Sequence, residues 1–366
     1  MNKQMIIAGL KARPVRTTVS LLAVALEVVL ILVVVGLTSG ISDETGRRTE
    51  GVGADILLQP PNSSLFLALS NTTMPIVLRE RLRELPGIKA ITPVQTLVNS
   101  SAGLEIIYGI EPDTFDAVSN GFIWHKGRLF NAPDDVVVDD IYAKAKGVTV
   151  GDTVELVNHK FKVCGVVEHG KGARLFISLK TAQEMTGQTG KASLFFIKLT
   201  DPDRVETAIA EIKRLLEGYG VIPLREYARL MMSNSMPALD AFISSVVFIA
   251  LCIGVLVIFL SMYTTITERT REIGILRSLG ASKTFIVTLI FEESAAVCSA
   301  GALIGIGSSF LIARIIMAVF PTLTILITPD WITRAVIFAV LSGIIGSLYP
   351  SLKAAKQDPV EALAYE

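Results

Sequence analysis

The chain has 366 residues, 51% of them hydrophobic, with a mean hydropathy of +0.55 and no formal net charge. Neutrality excludes a strongly basic nucleic-acid binder, and soluble domains are already about 45–50% apolar, so the placement of apolar residues decides the class. Of three cysteines only Cys164 lies outside the most apolar runs, which excludes a disulfide framework in the remainder of the chain.

Four windows are nearly free of charge: 17–38, 241–263, 285–320 and 331–350. Each reaches the ~20 residues that a helix needs to cross hydrocarbon. An open sheet edge or a loop could not cross, because its backbone groups would lack partners. The apolar run 19–37 exceeds the ~7–15-residue core of a signal peptide, and no small-x-small site followed by an obvious mature start stands out near Gly40, so it reads as a retained span. Lys3, Lys11, Arg13 and Arg16 precede span 1. Arg269, Arg271, Arg277 and Lys283 lie between spans 2 and 3, and Lys353 and Lys356 follow span 4. The segment 321–330 has neither Lys nor Arg.

The positive-inside rule then orders the chain. Residues 1–16 form a cytoplasmic amphipathic segment and 17–38 span 1; 39–240 form an extracytoplasmic domain and 241–263 span 2. Residues 264–284 form a cytoplasmic segment, 285–320 span 3, 321–330 a short external loop, 331–350 span 4 and 351–366 a cytoplasmic tail. The expected fold is a four-helix membrane protein of the plasma membrane, both termini cytoplasmic, with a mixed α/β domain between spans 1 and 2.

Within that domain 54–59 and 90–98 read as strands, with an amphipathic helix over 75–85 between them that Pro86-Gly87 ends. Further strands are expected at 104–110, 136–138, 153–157 and 160–167, the last two joined by a tight turn at Asn158-His159. Another strand follows at 195–199. Residues 203–219 read as a helix with Val205, Ile209, Ile212, Leu215 and Leu216 on one face. About 200 residues suffice for one or two cores.

No catalytic constellation, cofactor site or metal site is expected. His125, His159 and His169 lack the spacing of metal ligands. Asp134-Asp135 and Asp139-Asp140 read as solvated strand ends, since adjacent acids on a strand point to opposite faces. Residues 165–172, Gly-Val-Val-Glu-His-Gly-Lys-Gly, fall short of a phosphate loop because Gly172 replaces the metal-binding hydroxyl. That stretch reads as a loop.

In span 3, Gly301, Gly305 and Gly307 form a small-residue face for close helix packing. The span is longer than one crossing requires and is expected to tilt, break near these glycines or project outside. Glu27 in span 1 and Glu292-Glu293 in span 3 read as interhelical hydrogen-bonding groups, with no basic partner at matching depth. Between spans 2 and 3, Ile273, Leu276 and Leu279 make a narrow apolar stripe. Glu268, Arg271 and Glu272 supply charges at helical spacing, Gly280 terminates the helix and Ser282 caps the next. A helix lying on lipid would favour Lys and Arg on its polar face, so the acids here point to a soluble partner.

Residues 268–282, Glu-Arg-Thr-Arg-Glu-Ile-Gly-Ile-Leu-Arg-Ser-Leu-Gly-Ala-Ser, resemble the coupling segment of the MacB/FtsX-like ABC transporter permeases, the type VII or mechanotransmission systems. The tail 349–363 and the start 11–20 are similar to the same family. So are Tyr108-Gly-Ile-Glu-Pro-Asp113, Gly151-Asp-Thr-Val-Glu-Leu156 and Phe161-Lys-Val-Cys-Gly-Val166 to its periplasmic core. The resemblance implies a non-catalytic permease with an extracytoplasmic domain of two subdomains. A separate cytoplasmic ABC ATPase, which binds ATP, would dock on Glu268, Arg269, Arg271, Glu272, Ile273, Gly274, Leu276, Arg277, Gly280, Ala281 and Ser282. A second permease copy completes the complex as a homodimer, membrane lipid surrounds it, a periplasmic adaptor is an optional further partner, and nucleic acid has no part. Export or extraction of an amphipathic or lipidic substrate is the first expectation. The alternatives are force transmission to an envelope enzyme and, third, an intramembrane enzyme using Glu27 or Glu292.

Overall fold

The computed structural model describes residues 14–63, 72–99, 105–232 and 237–357. Lys3, Lys11 and Arg13, most of the N-terminal segment and the end of the tail lie outside the described residues. The chain divides into two compact units. One holds residues 1–40, 236–319 and 325–366, the other 41–235 and 320–324.

The first helix, α1 (Pro14–Glu50), runs 37 residues without interruption. At 1.5 Å per residue it is about 55 Å long, well beyond the ~30 Å of hydrocarbon. The expected span 17–38 is therefore only part of it, and residues 41–50 belong to the second unit.

The second unit is built on β1 (Ile56–Gln59), β2 (Met74–Pro75), α2 (Leu78–Arg83), β3 (Ile88–Asn99), β4 (Glu105–Ile110), α3 (Pro112–Ser119), β5 (Trp124–Gly127), β6 (Asp135–Asp139) and α4 (Asp140–Lys146). The chain continues through β7 (Thr153–Leu156), β8 (His159–Val167), β9 (Leu175–Ser178), α5 (Leu179–Thr186), β10 (Lys191–Ala192), β11 (Leu194–Leu199), α6 (Val205–Leu215), β12 (Gly220–Pro223) and α7 (Leu224–Met232). One sheet runs β12-β1-β11-β3-β4-β9-β6-β8-β5, with β7 also paired to β8. Among the described residues, only β4–β9 and β6–β8 are parallel pairs in it. Two cores share the sheet. Ile56, Leu58, Ile91, Phe195 and Ile197 pack on Ile209 and Ile212 of α6 and Leu82 of α2. Ile107, Val136, Val138, Phe161 and Ile177 pack on Tyr142 of α4 and Ala182 of α5. The mixed α/β expectation holds.

Several details depart from the sequence reading. The helix expected over 75–85 is confined to α2, because Met74 and Pro75 pair with Ala192 and Lys191. The hairpin turn falls on Val157 and Asn158, at φ 51° and 59°, while His159 already pairs with Leu156. Two left-handed residues in succession suit the twist of a two-residue hairpin. Of the four aspartates, Asp134 is exposed and Asp140 partly so, as expected, but Asp135 and Asp139 are not solvated strand ends. Asp135 is buried and accepts from the amides of Asn131 and Ala132 and from Arg128. Asp139 is fully buried, caps α4 through the Tyr142 amide at 2.6 Å and meets Arg174 at 3.3 Å. Burial outweighs those partners and pushes its carboxyl up to about 6.

The glycine-rich loop after β8 is a packing element. The Gly172 amide donates to the Arg48 carbonyl at 2.9 Å, and Lys171 Nζ donates to the Ser119 carbonyl at 2.6 Å. Gly172 has φ +86°, and a Cβ there would lie 2.7 Å from the Tyr108 ring and 2.8 Å from Val52. Glycine is required by both conformation and space. Arg174 adds an ion pair to Glu44 at 3.0 Å, so the end of α1 is held by this loop within the second unit.

The first unit is completed by α8 (Pro237–Glu268), α9 (Thr270–Ser278), α10 (Lys283–Val319) and α11 (Pro329–Lys356). Together with α1, three of these are long and apolar enough to cross a membrane. α10 is one unbroken helix of 37 residues, so it does not break at its glycines. A Cβ on Gly301 would meet Val24 at 2.8 Å, and one on Gly305 would meet Val28 and the Ala25 carbonyl at 2.8 Å. These two glycines let α10 lie against α1 within the chain. Gly307 does not belong to that face, since a Cβ there would meet nothing within 4 Å. Two residues on from Gly305, it has turned away by about 200°. α11 presents a seam of buried Ser342, Gly343, Gly346, Ser347, Pro350, Ser351 and Ala354.

Candidate coupling site

The coupling segment begins where α8 ends. Thr264, Thr265, Thr267 and Thr270 all bond their hydroxyls to carbonyls three or four residues back. Such back-bonding bends a helix, and the chain turns at Arg269 (φ −103°, ψ 15°) before α9 starts. Its far end is a Schellman motif. Gly280 stands at φ +95°, its amide bonds the Arg277 carbonyl at 3.1 Å, and the Ala281 amide bonds the Leu276 carbonyl at 3.0 Å. Ser282 then caps α10 by accepting from the Phe285 amide at 3.1 Å. The expected roles of Gly280 and Ser282 therefore match the geometry. The helix itself is shorter than 264–284, because residues 264–268 complete α8.

One face of α9 is buried. Ile273 and Gly274 are covered, and Leu276 packs against the membrane-helix core. Leu279 departs from the expected stripe: it is 80% exposed. The exposed face carries Arg271, Glu272, Ile275, Ser278 and Leu279 at helical spacing, with Glu268 and Ser282 exposed just beyond its two ends. It is a charged surface with two apolar residues, Ile275 and Leu279, set into it. Sequence reading missed Ile275. Its spacing of three from Glu272 and four from Leu279 was the available signal.

Two arginines tie this short helix to the long ones. Arg269 bonds Glu272 at 2.8 Å through Nε and Glu293 of α10 at 3.1 Å through Nη1. Glu293 thus has the basic partner the sequence did not place, because the bend at Arg269 brings that side chain alongside α10. Arg277 donates to the Ala355 carbonyl near the end of α11 at 2.8 Å. Lys353 on α11 donates to the Tyr263 hydroxyl of α8 at 2.9 Å and lies over its ring. α9 is therefore fixed to α10 at its start and to α11 at its end, with its outer face open.

Residues 17–215 match the family model of the MacB-like periplasmic core domain, and 244–359 match that of the FtsX-like permease C-terminal region. The chain belongs to the MacB/FtsX-like permease family. Family relatives include the uncharacterized ABC transporter permease YknZ of Bacillus subtilis (strain 168), 25% identical over 100% of this chain and 99% of that one. The uncharacterized ABC transporter permease MJ1507 of Methanocaldococcus jannaschii is also 25% identical, over 78% of this chain and 79% of its own length. The macrolide export ATP-binding/permease protein MacB of Shewanella sp. (strain W3-18-1) is 23% identical over 99% of this chain, which spans 60% of that protein. Among solved structures, the periplasmic region of MacB from Actinobacillus actinomycetemcomitans aligns with a TM-score of 0.39 at 18% identity, over 51% of this chain and 96% of that one. Membership of this family and four apolar helices make the chain a multi-pass membrane protein of the ABC permease type.

Proposed function

We propose that this permease couples ATP hydrolysis in a separate cytoplasmic ABC ATPase to movement of its α/β domain, and so exports or extracts an amphipathic or lipidic substrate. The ATPase docks on the open face of α9, around Arg271, Glu272, Ile275 and Leu279. The supporting observation is that α9 is anchored at both ends, through Arg269 to α10 and Arg277 to α11, while that face stays uncovered. A push on α9 then reaches two long helices at once. In this reading the chain works as a homodimer with both termini cytoplasmic, and the chemistry resides in the ATPase.

Affinity capture of the detergent-solubilised chain tests the docking. The chain should recover an ATP-binding-cassette subunit. Glu272→Lys, which inverts a docking charge, Leu279→Asp, which removes an apolar contact, and Gly274→Pro, which breaks the helix, should each lose it while membrane insertion persists. Undiminished recovery by all three refutes the docking role. A periplasmic adaptor in the same capture favours export, and a cell-wall hydrolase favours force transmission.

A further inference from the structure

Glu27 is a buried acid outside the α9 site. It sits in α1 at 4% exposure, among the helices of the first unit. Its Oε2 lies 3.1 Å from Ser342 Oγ on α11, and its Oε1 has no hydrogen-bond partner among the described residues. The other helices close around it. From α8 comes Gly254, where a Cβ would fall onto the carboxyl group. From α10 comes the buried Cys298 thiol, within electrostatic reach.

No cation faces it among the described residues. α1 carries no Lys or Arg between Arg16 and Arg47, and α8 carries none at all. On α10 the nearest are Lys283 and Arg314, each more than about 20 Å along the axis from Cys298. On α11 Arg334 pairs with Asp330, and Lys353 and Lys356 lie in the last turns.

The protons can be counted. Ser342 Oγ is 2.9 Å from the Ala339 carbonyl as well as 3.1 Å from Glu27 Oε2, and a hydroxyl has a single proton to give. With an ionised carboxylate, two acceptors compete for that proton and a charged oxygen stays buried without a donor, an arrangement that costs far more than burying a neutral group. With a carboxylic acid, Glu27 donates to Ser342 Oγ, Ser342 donates to Ala339, and every proton has an acceptor.

We propose that Glu27 is a proton-binding site: the packed helices hold it as the neutral acid, and helix separation that admits water releases its proton. The Oε–H bond breaks, its electron pair stays on the carboxylate, and the proton passes to water. Each cycle of opening and closing then releases and rebinds one proton per chain.

Infrared spectroscopy of the full chain in lipid nanodiscs tests the resting state without any ATPase, so the outcome is independent of the docking reading of α9. At neutral pH the wild-type minus Glu27→Gln difference should show the C=O stretch of a protonated carboxyl, shifting down in D2O. A difference made only of carboxylate stretches would overturn the site. Should Glu27→Gln fail to assemble, Ser342→Ala serves instead. It should move the same band to higher frequency, and an unchanged protonated-carbonyl region would equally overturn the proposal. Detergent-driven separation of the helices, followed with a pH indicator dye, should release one more proton from wild type than from Glu27→Gln. Equal release would refute the second half.

Discussion

Replacing Arg269 by Met removes the cation that neutralises Glu293. The pair stands at 3.1 Å, with the Arg269 side chain 21% exposed and that of Glu293 10% exposed. At an effective dielectric of ~20 the Coulomb attraction at this distance is about 5 kcal/mol. Desolvation of both groups offsets much of it. Truncating only the arginine leaves a buried carboxylate without a partner, and such losses run to about 3 kcal/mol. Glu293→Gln alone should cost about 1 kcal/mol, because Arg269 keeps its bond to Glu272 at 2.8 Å and part of its hydration. The double variant removes both charges and should cost about 2 kcal/mol, giving a coupling energy near 2 kcal/mol. The assay is SDS-driven unfolding of the full chain, followed by the fluorescence of Trp331 on α11. Additivity of the two single changes within about 0.5 kcal/mol would show that Arg269 does not neutralise Glu293, and the tie between α9 and α10 would fall with it.

Three further outcomes are expected. Gly301→Leu should destabilise the membrane helices by about 1–3 kcal/mol in the same assay by forcing α10 off Val24, whereas Gly307→Ala should be nearly neutral; equal effects would refute the assigned face. Gly172→Ala should cost about 2–4 kcal/mol in thermal unfolding of the α/β domain within the full chain, since it meets Tyr108 and Val52 at an unfavourable φ; an unchanged midpoint would count against the packing role of that loop. Asp139, held up to about 6 from an ordinary 3.8, binds a proton in the fold that the unfolded chain has released. Its contribution to stability is therefore fully present below about pH 4 and lost as pH rises through about 6, on the order of 3 kcal/mol across the window. Asp139→Asn, which can still cap α4, should flatten that part of the stability–pH curve, and an unaltered slope would refute the assignment.

The membrane half was legible because charge-free runs of that length leave little but a spanning helix. The fold class of the domain followed from period-two and helical patterning, as β3, β4, β8 and α6 show. What escaped depended on partners distant in sequence. Asp139 read as a surface acid because Arg174 and the start of α4 became its neighbours only on folding. Short helices such as α3, α4 and α5 span only two turns, too few for a periodic signal to rise above the strands beside them. In the coupling segment, the capping residues Gly280 and Ser282 were local chemistry and could be read directly. The division of α9 into buried and open faces was not, because Leu279 follows the Ile273–Leu276 stripe in spacing yet falls where the Schellman turn lifts it clear. Glu293 and Arg277 needed the bend at Arg269 and the end of α11 to acquire their partners.

The seam on α11 has a consequence for reversibility. Ser342, Gly343, Gly346, Ser347, Pro350, Ser351 and Ala354 carry few or no rotatable side-chain bonds. A surface of Leu or Met must freeze rotamers each time it is buried, at up to about 2 kcal/mol per residue, while Gly, Ala and Pro freeze none. At Gly346, backbone meets backbone: a Cβ would lie 2.6 Å from the Val255 carbonyl oxygen. Helices that touch along such a seam can part and re-seat many times with almost no ordering cost, and they need no interlocking teeth to find their register again. If the permease cycles as proposed, this seam is its low-friction bearing surface.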